Sequence, residues 1–420
     1  MKESLAFQKL VDAWVSARLQ RTMDWDELLY SLPGVYPATA WESLERLSLV
    51  DRVSFQRKSA AVPQSSFASK LWYRGRLLTP HPQDSLWWFG DAALERLLGE
   101  LRKSAGDASR VLLLGTPTLF HYVKAHGLKS PVLLLDRDSP TGREGQHRVL
   151  ACDLFADGAT GERFDFVIAD PPWYPLETRA FLLAALRRSR QGTRVFLSVP
   201  GTGTRPGIRQ QWKELVRWAE TNGLRLLDYD QSALPYISPL FERNALRSVG
   251  IDTYPSDWRQ GDLAVFEVDG TICLPALTGR IEGRWKEVRF GKVRLRIRAD
   301  VFSGWGSPEL RSVVPGDILP SVSRRDPRLK SVAVWSSGNR AFGCDGCFAF
   351  WKIAEAVSLD ECAVSALSAA IGTALSESQR KEVRSAVSQL VEMIAVEEQE
   401  IQYWRTEANE NVVQLPAHQS

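Results

Sequence analysis

The middle of the chain alternates short apolar runs with longer amphipathic segments. The apolar runs are continuous, which is typical of strands that are buried on both faces of a sheet. We therefore predict an α/β domain with a doubly wound, mostly parallel sheet over residues 71–258. Its predicted strands are VLLLG (111–115), PVLLLD (131–136), HRVLACD (147–153), FDFVIAD (164–170), RVFLSV (194–199), LRLLDYD (224–230) and ALRSVGI (245–251).

Residues 1–70 follow a helical pattern instead. Apolar residues recur at helical spacing from Ala6 to Val15, and Pro33-Gly34 separates them from a second amphipathic run, TAWESLERL. A β-prone segment, DRVSFQRK, comes next. Helix, turn, helix and strand is the order of a winged helix-turn-helix module. A plain helical cap on the next domain fits the same pattern, so both interpretations stay open.

The rest of the chain falls into three segments. The runs DLAVFEV, KVRLRIR and SVAVW are separated by Gly and Pro turns and predict a β-rich domain over residues 259–352. A helical pattern returns over residues 353–405. Residues 406–420 are polar and are expected to form a loose tail.

Composition is that of an ordinary globular protein. The 53 Lys and Arg residues nearly balance the 50 Asp and Glu residues, so a local patch rather than the overall charge would have to attract nucleic acid. No apolar run reaches the roughly 18 residues that a membrane span needs, and we expect no membrane contact. Five cysteines without a signal-peptide pattern favour a reducing compartment, so we expect a cytoplasmic protein.

A CDGC motif at Cys344 and Cys347 is the candidate for a metal site. A structural zinc site needs four ligands, and the sequence contains no second CxxC or HxxxH. We therefore expect a tight glycine turn and no bound metal. The oligomeric state is not predicted.

The most informative motif follows the fourth predicted strand. Asp170-Pro171-Pro172-Trp173 comes directly after FDFVIA, where ligands bind in a doubly wound sheet. Two prolines make the turn rigid, so the carboxylate and the proline carbonyls can accept hydrogen bonds from an amine. The indole offers a flat face to a planar substrate. We predict that these four residues are catalytic.

The ends of the first three strands predict a cofactor site. Gly115-Thr116-Pro117 lacks the GxGxxG pattern that a pyrophosphate needs, which favours a cofactor without phosphates such as S-adenosylmethionine. Asp136 stands where an acid binds the hydroxyls of a ribose, and Asp153 is a candidate for contact with the adenine amine.

These motifs resemble those of Rossmann-fold S-adenosylmethionine-dependent amino-methyltransferases. FDFVIADPPW is similar to FDIVIADPPY of the probable N6-adenine methyltransferases, a group that includes lysine methyltransferases of elongation factor 1A. Trp87-Trp88-Phe89-Gly90 resembles the Phe-Trp-Tyr-Ser element of that group, and GTPT resembles its Ser-x-Pro-Ser motif. The resemblance covers residues 80 to 255. It implies that Trp88 also lies beside the cofactor and that Asp170 to Trp173 hold the target amine.

A second resemblance competes with the first. Branched-chain polyamine synthases, which transfer an aminopropyl group, also join a winged helix to a Rossmann domain with an acid-Pro-Pro motif. The chain lacks their run of acids after the first strand. This resemblance therefore ranks lower.

The segment RIEGRWKEVRFGKVRLRIR carries eight basic and two acidic residues. As a strand, KVRLRIR would place its charges on one face, and the neighbouring aromatic residues would allow base stacking. A solvated strand face is the alternative. The predicted nucleic-acid contacts are Arg284, Lys286, Arg289, Lys292, Arg294, Arg296 and Arg298.

Together these observations predict a methyltransferase that acts on an amine, with the exocyclic amine of adenine in DNA or RNA as the favoured acceptor. Nucleic acid is therefore the expected partner, and a protein substrate is the alternative. A lysine methyltransferase, an aminopropyltransferase and a Rossmann scaffold without activity remain as competing hypotheses.

Overall fold

The computed structural model of the chain describes residues 2–55, 66–104, 106, 109–155, 161–277, 285–298 and 304–410. It divides into two compact units, each described by itself. The first unit comprises Met1–Leu77, Trp87–Ser238 and Thr253–Arg280. The second comprises Leu78–Leu86, Pro239–Asp252 and Ile281–Ser420.

The first unit begins with a helical region. Asp24 caps α2 by accepting a hydrogen bond from the Asp26 amide, and Pro37 occupies the first turn of α3. A wing would follow at residues 56–65, which lie outside the described residues, so the winged helix stays a prediction. The elements of this region are α1 (Lys2–Arg18), β1 (Met23–Asp24), α2 (Trp25–Ser31), α3 (Pro37–Arg46), β2 (Val53–Ser54) and α4 (Phe67–Tyr73).

A large mixed sheet forms the centre of the first unit. Within the described residues it has nine strands in the order β3-β10-β11-β9-β8-β4-β5-β7-β6. The strands are β3 (Trp88–Phe89), β4 (Val111–Leu114), β5 (Val132–Asp136), β6 (Gly142–Glu144), β7 (His147–Ala151), β8 (Phe164–Ala169), β9 (Ser189–Pro200), β10 (Leu224–Ile237) and β11 (Arg259–Val268).

Helices cover both faces of this sheet, as the continuous apolar strands predict. Leu97 and Phe120, from α5 and α6, pack on one face with Leu113, whereas Leu182 and Leu215, from α7 and α8, belong to the core of the other face. The α/β fold class is therefore confirmed. The helices are α5 (Asp91–Ser104), α6 (Pro117–Ala125), α7 (Pro175–Arg187) and α8 (Ile208–Thr221).

Two details of the predicted sheet are wrong. Strands β9, β8, β4, β5 and β7 are parallel, but β3, β10 and β11 add antiparallel pairs at one side and β6 does so at the other. ALRSVGI contributes to the helix α9 (Leu240–Arg247) instead of a strand. The last strand is β11, which inserts between β9 and β10, so the predicted boundary at 258 cuts a strand from its sheet.

The second unit contains an antiparallel sheet followed by helices. Its described strands, in the order β12-β13-β15-β16-β14, are β12 (Trp285–Phe290), β13 (Val293–Arg298), β14 (Arg311–Ser312), β15 (Val334–Ser336) and β16 (Ala341–Gly343). The helices are α10 (Cys347–Ser358), α11 (Ala363–Ile371) and α12 (Glu377–Glu410).

The boundaries of these C-terminal segments differ from those predicted. The helices begin at Cys347 rather than 353, and α12 continues to Glu410, five residues into the predicted tail. Residues 411–420 lie outside the described residues. Gly346 of the CDGC motif approaches the Gly306 carbonyl so closely that a Cβ would lie 2.1 Å from its oxygen, which explains the glycine turn.

Two further observations concern the described residues alone. None of their helices combines the length and the apolar character that crossing a membrane requires. Among the same residues, no three His, Cys, Asp or Glu side chains are grouped so that they could hold a metal ion.

Candidate active site

Three predicted site residues lie in one row at the carboxyl ends of adjacent parallel strands. The amide of Asp170 donates to the Leu114 carbonyl over 3.1 Å, and the amide of Gly115 donates to the Leu135 carbonyl over 3.0 Å. These bonds continue the pairing of β8 with β4 and of β4 with β5. Gly115, Asp136 and Asp170 are therefore brought to the same edge of the sheet, as the topology predicts.

The Asp170-Pro171-Pro172-Trp173 loop is held at both ends. Asp170 is joined to β4, and Pro175 begins helix α7 immediately after the loop. In addition, Nη2 of Arg205 donates to the Trp173 carbonyl over 2.5 Å. The loop is thus fixed by contacts as well as by its prolines.

Four polar groups form a chain of hydrogen bonds in this loop. The Tyr236 hydroxyl donates to Oδ1 of Asp170 over 2.7 Å and lies 2.5 Å from Oγ of Ser198. Nε1 of Trp173 donates to the same Oγ over 3.1 Å. Tyr236 comes from β10 and Ser198 from β9, so two further strands orient the predicted catalytic carboxylate and indole.

Burial sets the protonation of this network. It raises the pKa of Asp170 to about 7, although the hydrogen bonds from Tyr236 and Ser198 favour the ionised form. Burial, and then the neighbouring Asp170 charge, raise the pKa of Tyr236 well above its usual range. Tyr236 is therefore a neutral donor, and Asp170 changes charge near neutral pH.

A glycine allows the aromatic rings to approach each other. A Cβ on Gly261 would lie 2.9 Å from Cζ2 of Trp173 and 3.0 Å from Cε2 of Tyr236. The two rings meet edge to face over it, with centroids 5.5 Å apart. Sequence reasoning missed Gly261, Ser198 and Tyr236. A glycine that begins an apolar run in β11 is the signal that was available for Gly261.

Arg259 lies next to this network. It pairs with Tyr236 across β10 and β11, so both side chains lie on the same face of the sheet. Its guanidinium carbon lies 4.6 Å from the Trp87 ring, 4.7 Å from the Trp258 ring and 5.9 Å from the Trp173 ring. Sequence reasoning missed this residue because it assigned position 259 to the next domain.

The loop after β4 shows why a glycine stands at its start. Gly115 has φ +65°, and a Cβ there would lie 2.8 Å from Cε1 of Phe181. The hydroxyl of the next residue, Thr116, is buried and has no hydrogen-bond partner in the described structure. Pro117 then occupies the first turn of α6. These three residues lie where a cofactor was predicted.

The two predicted acids at the neighbouring strand ends differ. Oδ1 of Asp136 accepts from the amides of Asp138 over 3.0 Å and Ser139 over 2.7 Å, which fixes its carboxylate at the end of β5. Burial raises the pKa of Asp136, and the Ser139 hydrogen bonds oppose that rise. Asp153 is exposed and accepts from the Phe155 amide, so it closes its own turn.

Trp88 is placed away from Asp170. Its side chain is buried with its ring centroid 6.1 Å from that of Trp72. The neighbours of Trp88 occupy the site instead. Phe89 packs against Tyr236 at 5.0 Å, and Trp87 packs against Arg259. The motif was therefore located correctly, but adjacent residues in it make the contacts.

Residues 81–192 match the family model described as "Probable N6-adenine methyltransferase". This segment carries the loops after β4, β5 and β8, whereas the residues from β9 to β11 that orient Asp170 lie beyond it. No curated protein matches the chain.

Solved structures with related folds were also found, all at low similarity. One is a branched-chain polyamine synthase mutein from Thermus thermophilus, in complex with N4-aminopropylspermidine and 5'-methylthioadenosine. It is 15% identical, with 66% of this chain and 95% of that chain covered and a TM-score of 0.49. Another is the N-methyltransferase NodS from Bradyrhizobium japonicum WM9, at 16% identity, 43% and 98% coverage and a TM-score of 0.28.

The residues after β4 and β5 fit the S-adenosylmethionine that a methyltransferase model implies. The buried Thr116 hydroxyl lacks a partner, the bare Cα of Gly115 leaves the strand end open, and Asp136 presents a fixed carboxylate. This donor set suits a nucleoside with ribose hydroxyls and no phosphate.

The basic segment lies outside the family match, in the second unit, and the structure corrects its expected role. Arg294 is 2% exposed, and it binds Glu287 over 2.7 Å, Asp84 over 2.8 Å and the Thr79 carbonyl over 2.7 Å. Arg296 binds the same two acids. The prediction that both arginines face solvent is wrong, because these acids neutralise them inside the unit.

The other members of the basic segment are placed differently. Arg298 is half-buried and donates to two backbone carbonyls. Lys286 and Arg289 are exposed, and Lys292 is half-buried. Arg284 lies outside the described residues. Nucleic-acid binding by this segment stays a prediction and now depends on fewer charges.

Proposed function

We propose that the chain is a cytoplasmic S-adenosylmethionine-dependent methyltransferase that acts on the exocyclic amine of adenine in DNA or RNA. The observation that carries the proposal is the buried Asp170 carboxylate, held by Tyr236 and Ser198 beside the Trp173 indole. The family match over residues 81–192 supports the same chemistry.

Each residue in the site has a defined task in this proposal. Thr116 and Asp136 would hold the cofactor, and Gly115 would leave it room. When bound, S-adenosylmethionine supplies an activated methyl group, so that a carbon–nitrogen bond forms as the carbon–sulfur bond breaks and its electron pair stays on sulfur. Asp170 accepts an N–H hydrogen bond from the amine and can take the proton that leaves nitrogen, while Trp173 supports the planar base.

Contact with the nucleic acid is a separate part of the proposal. The exposed Lys286 and Arg289 support it, because their charges are available to phosphates. The buried Arg294 and Arg296 do not support it.

The test is transfer of a tritiated methyl group to a panel of acceptors. The panel contains single-stranded DNA and RNA with one adenine, the same strands with cytosine or guanine, and a lysine peptide. Spermidine with decarboxylated S-adenosylmethionine tests aminopropyl transfer. We expect methyl transfer to adenine, and preferential labelling of another acceptor would contradict the proposed substrate.

Variants at Asp170 test the role of the carboxylate. Asp170→Asn should lower transfer by about 100-fold or more, which is typical for the loss of one oriented polar group. Its affinity for S-adenosylhomocysteine, measured by calorimetry, should stay within about threefold of the wild type. The matched control is Asp228→Asn, which changes an exposed acid in β10. Full activity in Asp170→Asn would overturn the proposed role.

A further inference from the structure

The aromatic residues near Asp170 form a cage that already contains a cation. Trp87, Trp173 and Trp258 surround Arg259, with the guanidinium carbon within 5.9 Å of each ring centroid. Aromatic cages of this kind usually bind the ammonium group of a ligand. In this chain a side chain that is only 7% exposed supplies the cation.

This cation acts directly on the proposed reaction site. Arg259 is the cross-strand neighbour of Tyr236, which donates to Asp170. Asp170 raises the pKa of Tyr236 and Arg259 lowers it, so both charges act on the Tyr236 phenol. One carboxylate and one guanidinium therefore balance each other at this position.

The next acid along the strand does not change that balance. Side chains alternate along β11, so Asp262 faces away from Arg259 and Gly261 faces Trp173. Asp262 accepts hydrogen bonds from the Tyr229 hydroxyl and from the Ser232 amide. Its carboxylate is thus used to hold the irregular part of β10, where the register shifts between Asp230 and Leu234.

We propose that Arg259 is a specificity-determining residue that rejects cationic amines and restricts the acceptor to a neutral, planar amine. This inference rests on the proposed function and defines the class of its substrate. A lysine side chain is protonated at neutral pH, as are the amines of a polyamine. A nucleobase amine is neutral and can lie against Trp173 without placing a second positive charge near Arg259.

Coulomb's law gives the size of the expected effect. A second unit charge about 6 Å from the guanidinium, at an effective dielectric constant of about 20, is disfavoured by about 100-fold. This is enough to decide between two amines that make otherwise similar contacts.

The experiment compares two small probes, 9-methyladenine and spermidine, by calorimetry with and without saturating S-adenosylhomocysteine. Arg259→Met removes the charge but keeps an unbranched side chain that packs well against aromatic rings. We expect spermidine to bind at least about tenfold more tightly to Arg259→Met than to the wild type. Affinity for 9-methyladenine should change by less than about threefold, and Arg259→Lys should behave like the wild type.

Arg179→Met is the matched control, because Arg179 also stacks on an indole, that of Trp218, at 5.8 Å. It should leave the preference between the probes unchanged. The proposal is overturned if Arg259→Met gains no affinity for spermidine, or if the wild type already prefers spermidine. Either result leaves the role of Asp170 intact, whereas full methyl transfer by Asp170→Asn defeats the proposed function without changing the probe preference.

Discussion

The Tyr236 hydroxyl donates a 2.7 Å hydrogen bond to Oδ1 of Asp170, across 66 residues of sequence. This bond joins β10 to the loop after β8 and favours the ionised carboxylate in a place where burial disfavours it. The balance between the two effects brings the pKa of Asp170 to about 7 and makes several properties of the protein depend on pH.

The first prediction concerns the free energy of unfolding. An unfolded aspartate has a pKa of about 3.9, so between about pH 4 and pH 7 folded Asp170 binds its proton more tightly than the unfolded chain does. Asp170 therefore contributes stability below about pH 4, and this contribution is lost as the pH rises through 7. Denaturant unfolding should show a smaller loss across this range in Asp170→Asn than in the wild type. Identical pH profiles would contradict the raised pKa.

The second prediction concerns the pH dependence of transfer. Only the ionised form of Asp170 accepts freely on both oxygens, so the rate should rise through about pH 7. Tyr236→Phe removes a bond that favours the carboxylate, and the rise should then move to higher pH. Single-turnover rates from pH 5.5 to 9 would show this movement. A rise that stays in place or moves to lower pH would exclude the assigned effect of Tyr236.

The third prediction concerns the bare backbone at Gly261. Gly261→Ala should push Trp173 or Tyr236 out of place, because its Cβ would lie 2.9 Å and 3.0 Å from their rings. We expect a loss of about 1–3 kcal/mol of stability and at least about tenfold in transfer rate. Gly99→Ala is the control, since a Cβ there meets no atom within 4 Å in helix α5. It should be neutral or slightly stabilising, and equal losses in both variants would contradict the steric account.

The sequence predicts the part of this site that comes from parallel strands. Gly115, Asp136 and Asp170 each follow an apolar run directly, and the carboxyl ends of such strands meet at one edge. Tyr236 and Arg259 could not be found this way. They come from antiparallel strands, and their pairing depends on a strand exchange that no local pattern reveals.

The alternation of KVRLRIR was likewise ambiguous. It predicts a strand, which β13 confirms, but the same pattern serves an exposed basic face or a buried ion-paired one. The acids that decide the matter are Glu287 on β12 and Asp84, which is distant in the sequence. Apolar content misled in the opposite way at ALRSVGI, where Ala245 and Leu246 form the buried face of a helix.

The fourth prediction separates two causes of strain at Gly115. Gly115→Ala meets an unfavourable positive φ and a clash with Phe181 at 2.8 Å, whereas Gly127→Ala has φ +68° and no atom within 4 Å. Gly127→Ala should cost about 1 kcal/mol, which is the conformational part alone. Gly115→Ala should cost more and weaken S-adenosylhomocysteine binding by about tenfold or more. Unchanged affinity in Gly115→Ala would remove this loop from the cofactor site.

The fifth prediction concerns the ion pairs of the second unit. Asp84→Asn leaves Arg294, which is 2% exposed, and Arg296 to share Glu287. Removal of one partner from a buried pair costs about 3 kcal/mol or more. Asp345→Asn is the control, because its pair with Arg311 is exposed and should contribute under about 1 kcal/mol. Denaturant unfolding of the two variants should therefore give clearly different losses.

The same unit offers a contrast in nucleic-acid binding. Lys286→Gln combined with Arg289→Gln should weaken oligonucleotide binding and reduce its salt dependence, because both side chains are exposed. A variant at Arg294 should lower stability and leave the salt dependence of the folded protein unchanged, because its charge is already neutralised by Asp84 and Glu287. A reduced salt slope in Arg294→Met, measured well below its unfolding transition, would show that the buried arginine still acts on the ligand.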